Sequence, residues 1–210
     1  NFLVLLGWSL DDKTEIFSAQ ELVDSFSLDR VSRPGAIFNI DKLNWLNGYY
    51  IRQMSDEELA DALLEFWGRH APEGIPARPD RGYLMKIVPL IRERLKTLAD
   101  AAPLIPFFFA DKVEYDAGQL VQKRMDAEGT RAALSRAAVA LSELASFDSD
   151  SIEGALRHLA NDMGIKVGQL LGSIRVATTG LKVSPPLFES LEVLGRERSL
   201  AAIEAAAERL

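Results

Sequence analysis

The chain has 210 residues, of which 48% are hydrophobic and 26% charged, and its formal net charge is −7. This composition is typical of a globular protein with a substantial core, and it excludes a disordered chain. The chain has no cysteine, which excludes disulfide frameworks, thiolate metal sites and cysteine nucleophiles.

Membrane and secretory classes are also disfavoured. No apolar run approaches the roughly 18 to 20 residues that cross a bilayer, so we expect no membrane partner. The first residues lack the basic leader of a signal peptide. Because the chain starts without methionine in an apolar, helix-like segment, we interpret it as a fragment with something upstream removed. The expected location is cytoplasmic, or an organelle matrix.

Helix-start signals appear early in the chain. Ser18 and Glu21 predict a capping box, in which each side chain bonds the other's backbone amide. Asn39 and Asp41 then precede a helical run. A second capping box, Ser55 with Glu58, predicts a helix with an apolar row at Leu59, Leu63, Phe66 and Trp67. Trp45 and Trp67 are both assigned to packing, since each lies on such a row.

The rest of the chain also has helical periodicity. An amphipathic helix is predicted over about 81–99, with Pro103 and Pro106 ending it. Further helices are predicted at about 117–128, 130–144, 151–163, 167–177, 186–194 and 196–209. The strand-like segments 107–109 and 174–176 are too short to build a sheet. The predicted fold class is therefore all-α.

The charge distribution is uneven. Residues 75–98 carry a net charge of +4, and residues 164–188 carry +3 with no acid, so the rest of the chain carries −14. Two basic zones in an acidic protein fit a body that repels phosphate except at one face. The alternative is chance clustering of charges on solvated helix faces.

Motifs for catalysis are absent from the sequence. We find no glycine-rich phosphate loop, no serine elbow and no histidine pair at metal-ligand spacing. His70 and His158 are the only histidines, and we expect structural roles for both. The carboxylates are scattered over helix faces, so we expect no catalytic residue and no metal site in this chain.

Three blocks of sequence carry a family resemblance. The first is 1–9 (NFLVLLGWS) with 15–18 (EIFS), and the second is 38–52 (FNIDKLNWLNGYYIR). The third comprises 164–169 (GIKVGQ), 174–180 (IRVATTG), 183–188 (VSPPLF) and 194–197 (LGRE). In that order they resemble bacterial-type glutamyl-tRNA synthetases, beginning just after the ATP loop. The resemblance spans essentially the whole chain and is weakest over about 101–150.

The resemblance implies an architecture and a division of labour. Residues 1–54 would form a helical stem-contact domain, and 55–111 and 112–210 the two parts of an α-helical cage that holds the anticodon. The parent enzyme, a class I aminoacyl-tRNA synthetase, would join glutamate to tRNA using ATP and magnesium. Those cofactors would bind in the absent catalytic part and none in this chain. The implied partner is tRNA(Glu), not DNA, and the parent would be monomeric.

The resemblance also assigns residues to the anticodon. Arg94 matches the position implicated in reading the third anticodon base, where glutamate tRNA has cytosine and glutamine tRNA has guanine. Arginine donates to the acceptor edge of cytosine and meets donors on guanine. Arg157 and Arg175 match positions that approach the anticodon loop. Ser184 and Leu187 match a wall for the splayed bases, to which Pro185 and Phe188 could add apolar surface.

Each of these assignments has an alternative. Arg94 could instead pair with surface acids, and Arg92 could take its role. Arg157 could be an i, i+4 partner of Glu153. Leu187 and Phe188 could belong to the core. Besides Arg92 and Phe188, Lys182 is a possible further tRNA contact.

The predicted function is recognition of tRNA(Glu) and its anticodon by the C-terminal part of a glutamate–tRNA ligase. The alternative is a helical appendage used as a protein-interaction module, which an exposed apolar patch without a basic rim would favour. A free-standing enzyme is the remotest of the three possibilities.

Overall fold

The computed structural model describes residues 1–32, 35, 37–69 and 71–210. Helices account for all the regular structure in these ranges, apart from one isolated antiparallel bridge between Trp8 and Val31. The all-α prediction is therefore confirmed. None of the helices described is long and apolar enough to cross a membrane. The α-helices are α1 (Phe2–Leu5), α2 (Ala19–Ser25), α3 (Ile40–Gln53), α4 (Asp56–Arg69), α5 (Arg81–Ile91), α6 (Pro106–Phe109), α7 (Ala127–Ser142), α8 (Ser149–Asp162), α9 (Val167–Thr179), α10 (Leu187–Leu194) and α11 (Arg196–Glu208).

Both predicted capping boxes are confirmed. The Ser18 hydroxyl accepts from the Glu21 amide at 3.2 Å, and the Glu21 carboxylate accepts from the Ser18 amide at 2.7 Å. The second box has the same geometry at Ser55 and Glu58, with distances of 3.1 and 2.8 Å. Each box satisfies two amides that the first helical turn leaves unpaired, so it fixes where α2 and α4 begin.

The helix predicted over 81–99 is wrong in its second half. α5 ends at Ile91, a 3-10 turn follows at Arg92–Arg94, and Leu95 is extended. Pro89 lies inside α5, where it has no amide to donate and its ring crowds the preceding turn. The Asp100 carboxylate then accepts from the Lys96 and Thr97 amides, which caps a second 3-10 segment, Leu98–Leu104.

The helix predicted over 117–128 is also wrong. Only the 3-10 turn Ala117–Gln119 forms there. The Leu120 carbonyl accepts from the Ser173 hydroxyl of α9 at 2.7 Å. The side-chain amide of Gln122 donates to the Gln119 and Leu120 carbonyls. Arg124 has a φ of 69°, which an α-helix does not allow. Regular helix resumes only after Asp126, which caps α7.

The N-terminal segment has a small aromatic cluster of its own. Trp8 lies against Phe17 and Phe26, with ring centroids 5.8 Å apart in both pairs, and Phe2 contacts Phe38 at 5.1 Å. Large apolar side chains are nevertheless exposed here, namely Leu3, Val23, Phe26, Leu28, Val31, Ile37, Phe38, Ile40, Trp45 and Tyr50. The packing role predicted for Trp45 is therefore wrong, since 45% of its surface is exposed, whereas Trp67 is buried as predicted.

One hydrophobic core runs from Ile51 to Ala207 and includes residues of both halves of the predicted cage. Within it α4 packs on α5, α7 on α11, and α10 on both α5 and α8. The apolar row predicted for α5 is buried at Leu84, Ile87, Val88 and Ile91. The domain boundaries at 54/55 and 111/112 stay a prediction, and this core crosses both of them.

Arg198 of α11 fastens the two halves together. Its guanidinium donates to the carbonyls of Phe107, Phe108 and Ala110 at 3.2, 2.9 and 2.8 Å. It also donates to the Tyr83 hydroxyl at 3.3 Å. These carbonyls lie at the end of α6, where no further helical turn supplies donors to them.

We expect Arg198→Ala to lower the free energy of unfolding by about 1–2 kcal/mol, because three carbonyls lose a charged donor, although the Phe108 carbonyl still accepts from the Tyr83 hydroxyl. Urea denaturation followed by circular dichroism measures this change. Arg136→Ala is the matched control, since Arg136 is exposed on α7 and has no hydrogen bond or ion pair within the described ranges. Equal stability of the two variants would contradict the fastening role of Arg198.

Candidate nucleic-acid interface

The two basic zones of the sequence meet at one pocket. Arg94 comes from the first zone, and Arg175 and Lys182 come from the second. The cavity has a volume of about 280 Å³ and no carboxylate in its wall. Its lining consists of Arg94, Arg175, Lys182, Val183, Ser184, Pro185 and Pro186. The fold thus turns two separate stretches of positive charge into a single positive site.

Arg175 is one of the residues that line this pocket. It projects from α9, and one guanidinium nitrogen donates to the Ser184 hydroxyl and, at 3.0 Å, to the Pro185 carbonyl. The partial burial of the guanidinium, and then the nearby charge of Arg94, lower the pKa of Arg175 below its ordinary value. An arginine pKa starts so high that the side chain remains charged at neutral pH. Arg175 therefore shapes the loop and adds charge to the pocket.

Arg94 contributes a free charge. It lies exposed in the 3-10 turn Arg92–Arg94, and it makes no hydrogen bond or ion pair with any residue in the described part of the chain. The ion pair with surface acids that was the alternative for Arg94 is therefore absent from the described part of the chain. Arg92 behaves differently, because its guanidinium forms an ion pair with Asp56 at the start of α4 and does not line the pocket.

Lys182 and Val183 lie on the loop between α9 and α10, and both are exposed, Val183 to 76%. Gly180 allows this loop to leave α9 sharply, because its φ of 70° is in the left-handed region. A Cβ at this position would lie 2.9 Å from the Glu114 carbonyl oxygen. Two residues after Gly180, Lys182 lines the same pocket as Arg175 of α9.

The predicted wall of the pocket is partly buried in the protein. The Ser184 hydroxyl is bonded to Arg175 and to the Pro185 carbonyl, and only 2% of the residue is exposed. Leu187 is buried, and Phe188 packs against the core. Three apolar residues line the pocket, namely Val183, Pro186 and Pro185, and the last of these was expected to add apolar surface. Base contacts by Leu187 and Phe188 stay a prediction that this packing disfavours.

Arg157 lies on α8 and is not among the residues that line the pocket. Its side chain bonds Glu153 one turn earlier at 2.6 Å, which is the i, i+4 pairing considered as the alternative. His158 is exposed beside it, 3.2 Å from Asp162. His70 lies outside the described residues. No group of three or more acidic or histidine side chains in the described ranges could hold a metal ion.

Sequence reasoning missed two features of the site. Val183 and Pro186 stood inside the VSPPLF motif, but exposure cannot be read from a motif, and neither was named as a site residue. The ion pair of Asp56 was not predicted, because its partner Arg92 is distant in sequence. No local signal pairs these residues, since their contact depends on how α4 packs on α5.

A comparison with family sequence models identifies residues 58–207 as an anticodon binding domain. The chain belongs to the anticodon-binding domain family. The matched segment contains Arg94, Arg175, Lys182 and the whole pocket. The anticodon-binding domain accounts for most of the chain and leaves α1–α3 before it.

Curated relatives place this domain within a longer protein. The chain is 44% identical over 210 residues to a glutamate–tRNA ligase of Dehalococcoides mccartyi and 47% identical over 207 residues to one of Roseiflexus castenholzii. It is covered to 100% and 98% in these matches, yet it spans only 43% and 41% of those two proteins. The matched region is their C-terminal part.

Solved structures give the same assignment. A glutamate–tRNA ligase of Elizabethkingia meningosepticum matches the full chain with a TM-score of 0.84 and 26% identity, over 40% of that protein. A glutamate–tRNA synthetase of Elizabethkingia anophelis matches 99% of the chain with a TM-score of 0.82 and 25% identity, over 39% of that protein. The expected family and fold class are therefore confirmed.

Proposed function

We propose that this chain binds tRNA(Glu) and recognises its anticodon, as the C-terminal part of a glutamate–tRNA ligase. The observation that carries the proposal is the pocket where Arg94, Arg175 and Lys182 meet without a carboxylate. Such a site is unfavourable for a protein alone and favourable beside a polyanion, because each phosphate neutralised by a cation releases condensed counterions. Membership of the anticodon-binding domain family supports the same partner.

The pocket offers a separate chemistry to each part of a nucleotide. Arg94 has unpaired donors for the acceptor edge of cytosine at the third anticodon position. Lys182 is a mobile point charge suited to a phosphate. Val183 and Pro186 supply an apolar face against which an unstacked base can lie. Arg175 is already bonded to Ser184 and Pro185, so it shapes the site and adds to its potential.

We also propose that the chain has no catalytic centre and that ATP, magnesium and glutamate bind to the rest of the ligase. The support is the length of the relatives, more than half of which this chain does not match. The purified chain should therefore give no ATP–pyrophosphate exchange with glutamate above background. Exchange that survives repurification would contradict this assignment.

The exposed apolar side chains of residues 3–50 favour the second candidate, a protein-interaction role. They lie outside the pocket and outside the matched domain, in the segment predicted to contact the tRNA stem. Buried in a protein contact, side chains of this size would contribute substantially to binding. Binding measurements with tRNA separate the two functions, because a module for protein contacts alone has no salt-dependent affinity for tRNA.

We expect the chain to bind tRNA(Glu) more tightly than an unrelated tRNA, with an affinity that falls as salt rises. Lys182→Ala should weaken binding to all tRNAs alike and reduce the slope of log affinity against log salt by roughly one unit, because about one phosphate contact is lost. Fluorescence anisotropy at several salt concentrations gives both quantities.

Lys112→Ala is the control for this substitution, since Lys112 is exposed, lies outside the pocket and makes no ion pair within the described ranges. Equal slopes for the two variants would mean that Lys182 makes no phosphate contact. Equal affinity of the unsubstituted chain for both tRNAs would contradict recognition of tRNA(Glu).

Arg94→Gln should change specificity more than general affinity. Glutamine can donate and accept, so it should tolerate guanine as well as cytosine at the third anticodon base. The binding penalty for a C-to-G change at that base should shrink by about 1–3 kcal/mol, the scale of one bidentate base contact. The measurement compares dissociation constants for tRNA(Glu) and for the same tRNA with this one base changed.

Arg78→Gln is the matched control, because Arg78 belongs to the same basic zone, is exposed and does not line the pocket. It should leave the C-to-G penalty unchanged. If Arg94→Gln weakened binding to both tRNAs equally, Arg94 would contact a phosphate, and base reading would belong to another residue.

A further inference from the structure

The turn that holds Arg94 is fixed at both ends by the core. Ile91 precedes the turn and Leu95 follows it, and both are fully buried. The Leu95 amide donates back to the Arg92 carbonyl at 3.2 Å, which closes the turn. Arg94 itself has no partner in the described part of the chain, so the backbone of the turn alone sets the origin of its side chain.

Helix α3 packs on this turn, and Gly48 lies against the backbone directly after it. A Cβ built on Gly48 would lie 3.2 Å from the Leu95 carbonyl oxygen and 3.6 Å from the Lys96 Cα. It would also lie 3.0 Å from the Arg52 guanidinium, which can move aside, whereas the backbone of the turn cannot move without shifting Arg94. Glycine in a helix interior destabilises the helix by about 0.5–1 kcal/mol relative to alanine. Gly48 therefore permits the close contact at some cost to the stability of α3.

Helix α4 also contacts the turn, through an ion pair. Asp56, the first residue of α4, forms an ion pair with Arg92, whose side chain is only 23% exposed. The Arg92 Nε is buried and has no hydrogen-bond partner. A mostly buried guanidinium that lost its carboxylate would have to move toward water, and it would carry the turn with it.

These restraints act against a repulsion. Arg94 lies close enough to Arg175 to lower the pKa of that guanidinium, and no carboxylate lines the space between them. A flexible turn would let the two charges separate. A turn held by Gly48 and by Asp56 keeps Arg94 at the pocket before any ligand arrives, so binding does not have to order it.

We propose that Gly48 and the Asp56–Arg92 ion pair are positioning residues that fix Arg94 for reading the third anticodon base. The proposal rests on the function proposed above and adds residues from α3 and α4 that contact no part of the pocket. It also makes α3, which lies outside the matched anticodon-binding domain, a determinant of anticodon specificity.

The test uses the full 210-residue chain with Gly48→Ala and Asp56→Asn, and compares dissociation constants for tRNA(Glu) and for its third-base C-to-G variant. Both substitutions should reduce the ratio of the two constants by about fivefold or more, the lower end of one base contact. Affinity for the C-to-G tRNA should change little. Asp56→Glu, which keeps the carboxylate, should retain most of the ratio.

Gly68→Ala is the matched control, since Gly68 also lies in a helix but a Cβ there meets nothing within 4 Å. It should leave the ratio unchanged. Combining Gly48→Ala with Arg94→Gln should cause no loss of ratio beyond that of Arg94→Gln alone, because Gly48 acts through Arg94. A further, additive loss in the double variant would overturn the positioning role.

The outcomes separate this inference from the function it rests on. If the unsubstituted chain binds both tRNAs equally, or Arg94→Gln leaves the ratio intact, base reading by Arg94 is wrong. If Arg94→Gln lowers the ratio but Asp56→Asn and Gly48→Ala keep it, only the positioning inference is overturned. Should Gly48→Ala fail to fold, Asp56→Asn decides, since Asp56 lies at the surface end of α4.

Discussion

Apolar packing keeps Arg94 and Arg175 close together although no carboxylate lines the pocket that they share. The rest of the site depends on this proximity. Arg94 and Arg175 repel each other, so their meeting has to be stabilised elsewhere. The contact of α10 with α5 and α9 does this, because burial of a leucine or isoleucine side chain contributes about 1.5–3 kcal/mol. Leu187 and Leu191 of α10 are such side chains. The core thus maintains a local charge density that an anion relieves.

Much of the helical fold was predictable because its signals are local. Capping boxes and apolar rows act within one or two turns, and they located α2, α4 and α7–α11 to within a few residues. The errors arose where a tertiary contact outweighed the local pattern. Ser173 takes the Leu120 carbonyl that a helix over 117–128 would have used. The end of α5 was open to prediction, since Pro89 was visible in the sequence, but the apolar row continued past it.

The site was predictable in its members but not in its geometry. The family resemblance named Arg94, Arg175 and Ser184, Lys182 was a possible further tRNA contact, and the charge count marked two basic zones. Neither indicates that the zones face each other, because that depends on how α5, α9 and α10 pack. Local pattern also left Arg157 ambiguous, and the structure gives it the i, i+4 partner. The resemblance suggested Leu187 as a base wall, a role that stays a prediction and that its burial in the core disfavours.

The acidic net charge of the chain affects where a phosphate can approach it. At physiological ionic strength electrostatic potentials decay over about 8 Å, so a phosphate near the pocket responds to Arg94, Arg175 and Lys182 and little to distant acids. The chain outside the two basic zones carries a net charge of −14, so a phosphate near those parts of the surface is repelled. A net charge of −7 therefore does not argue against a nucleic-acid partner. It disfavours non-specific contacts with the acidic parts of the chain, which orients a polyanion more sharply than a uniformly basic surface would.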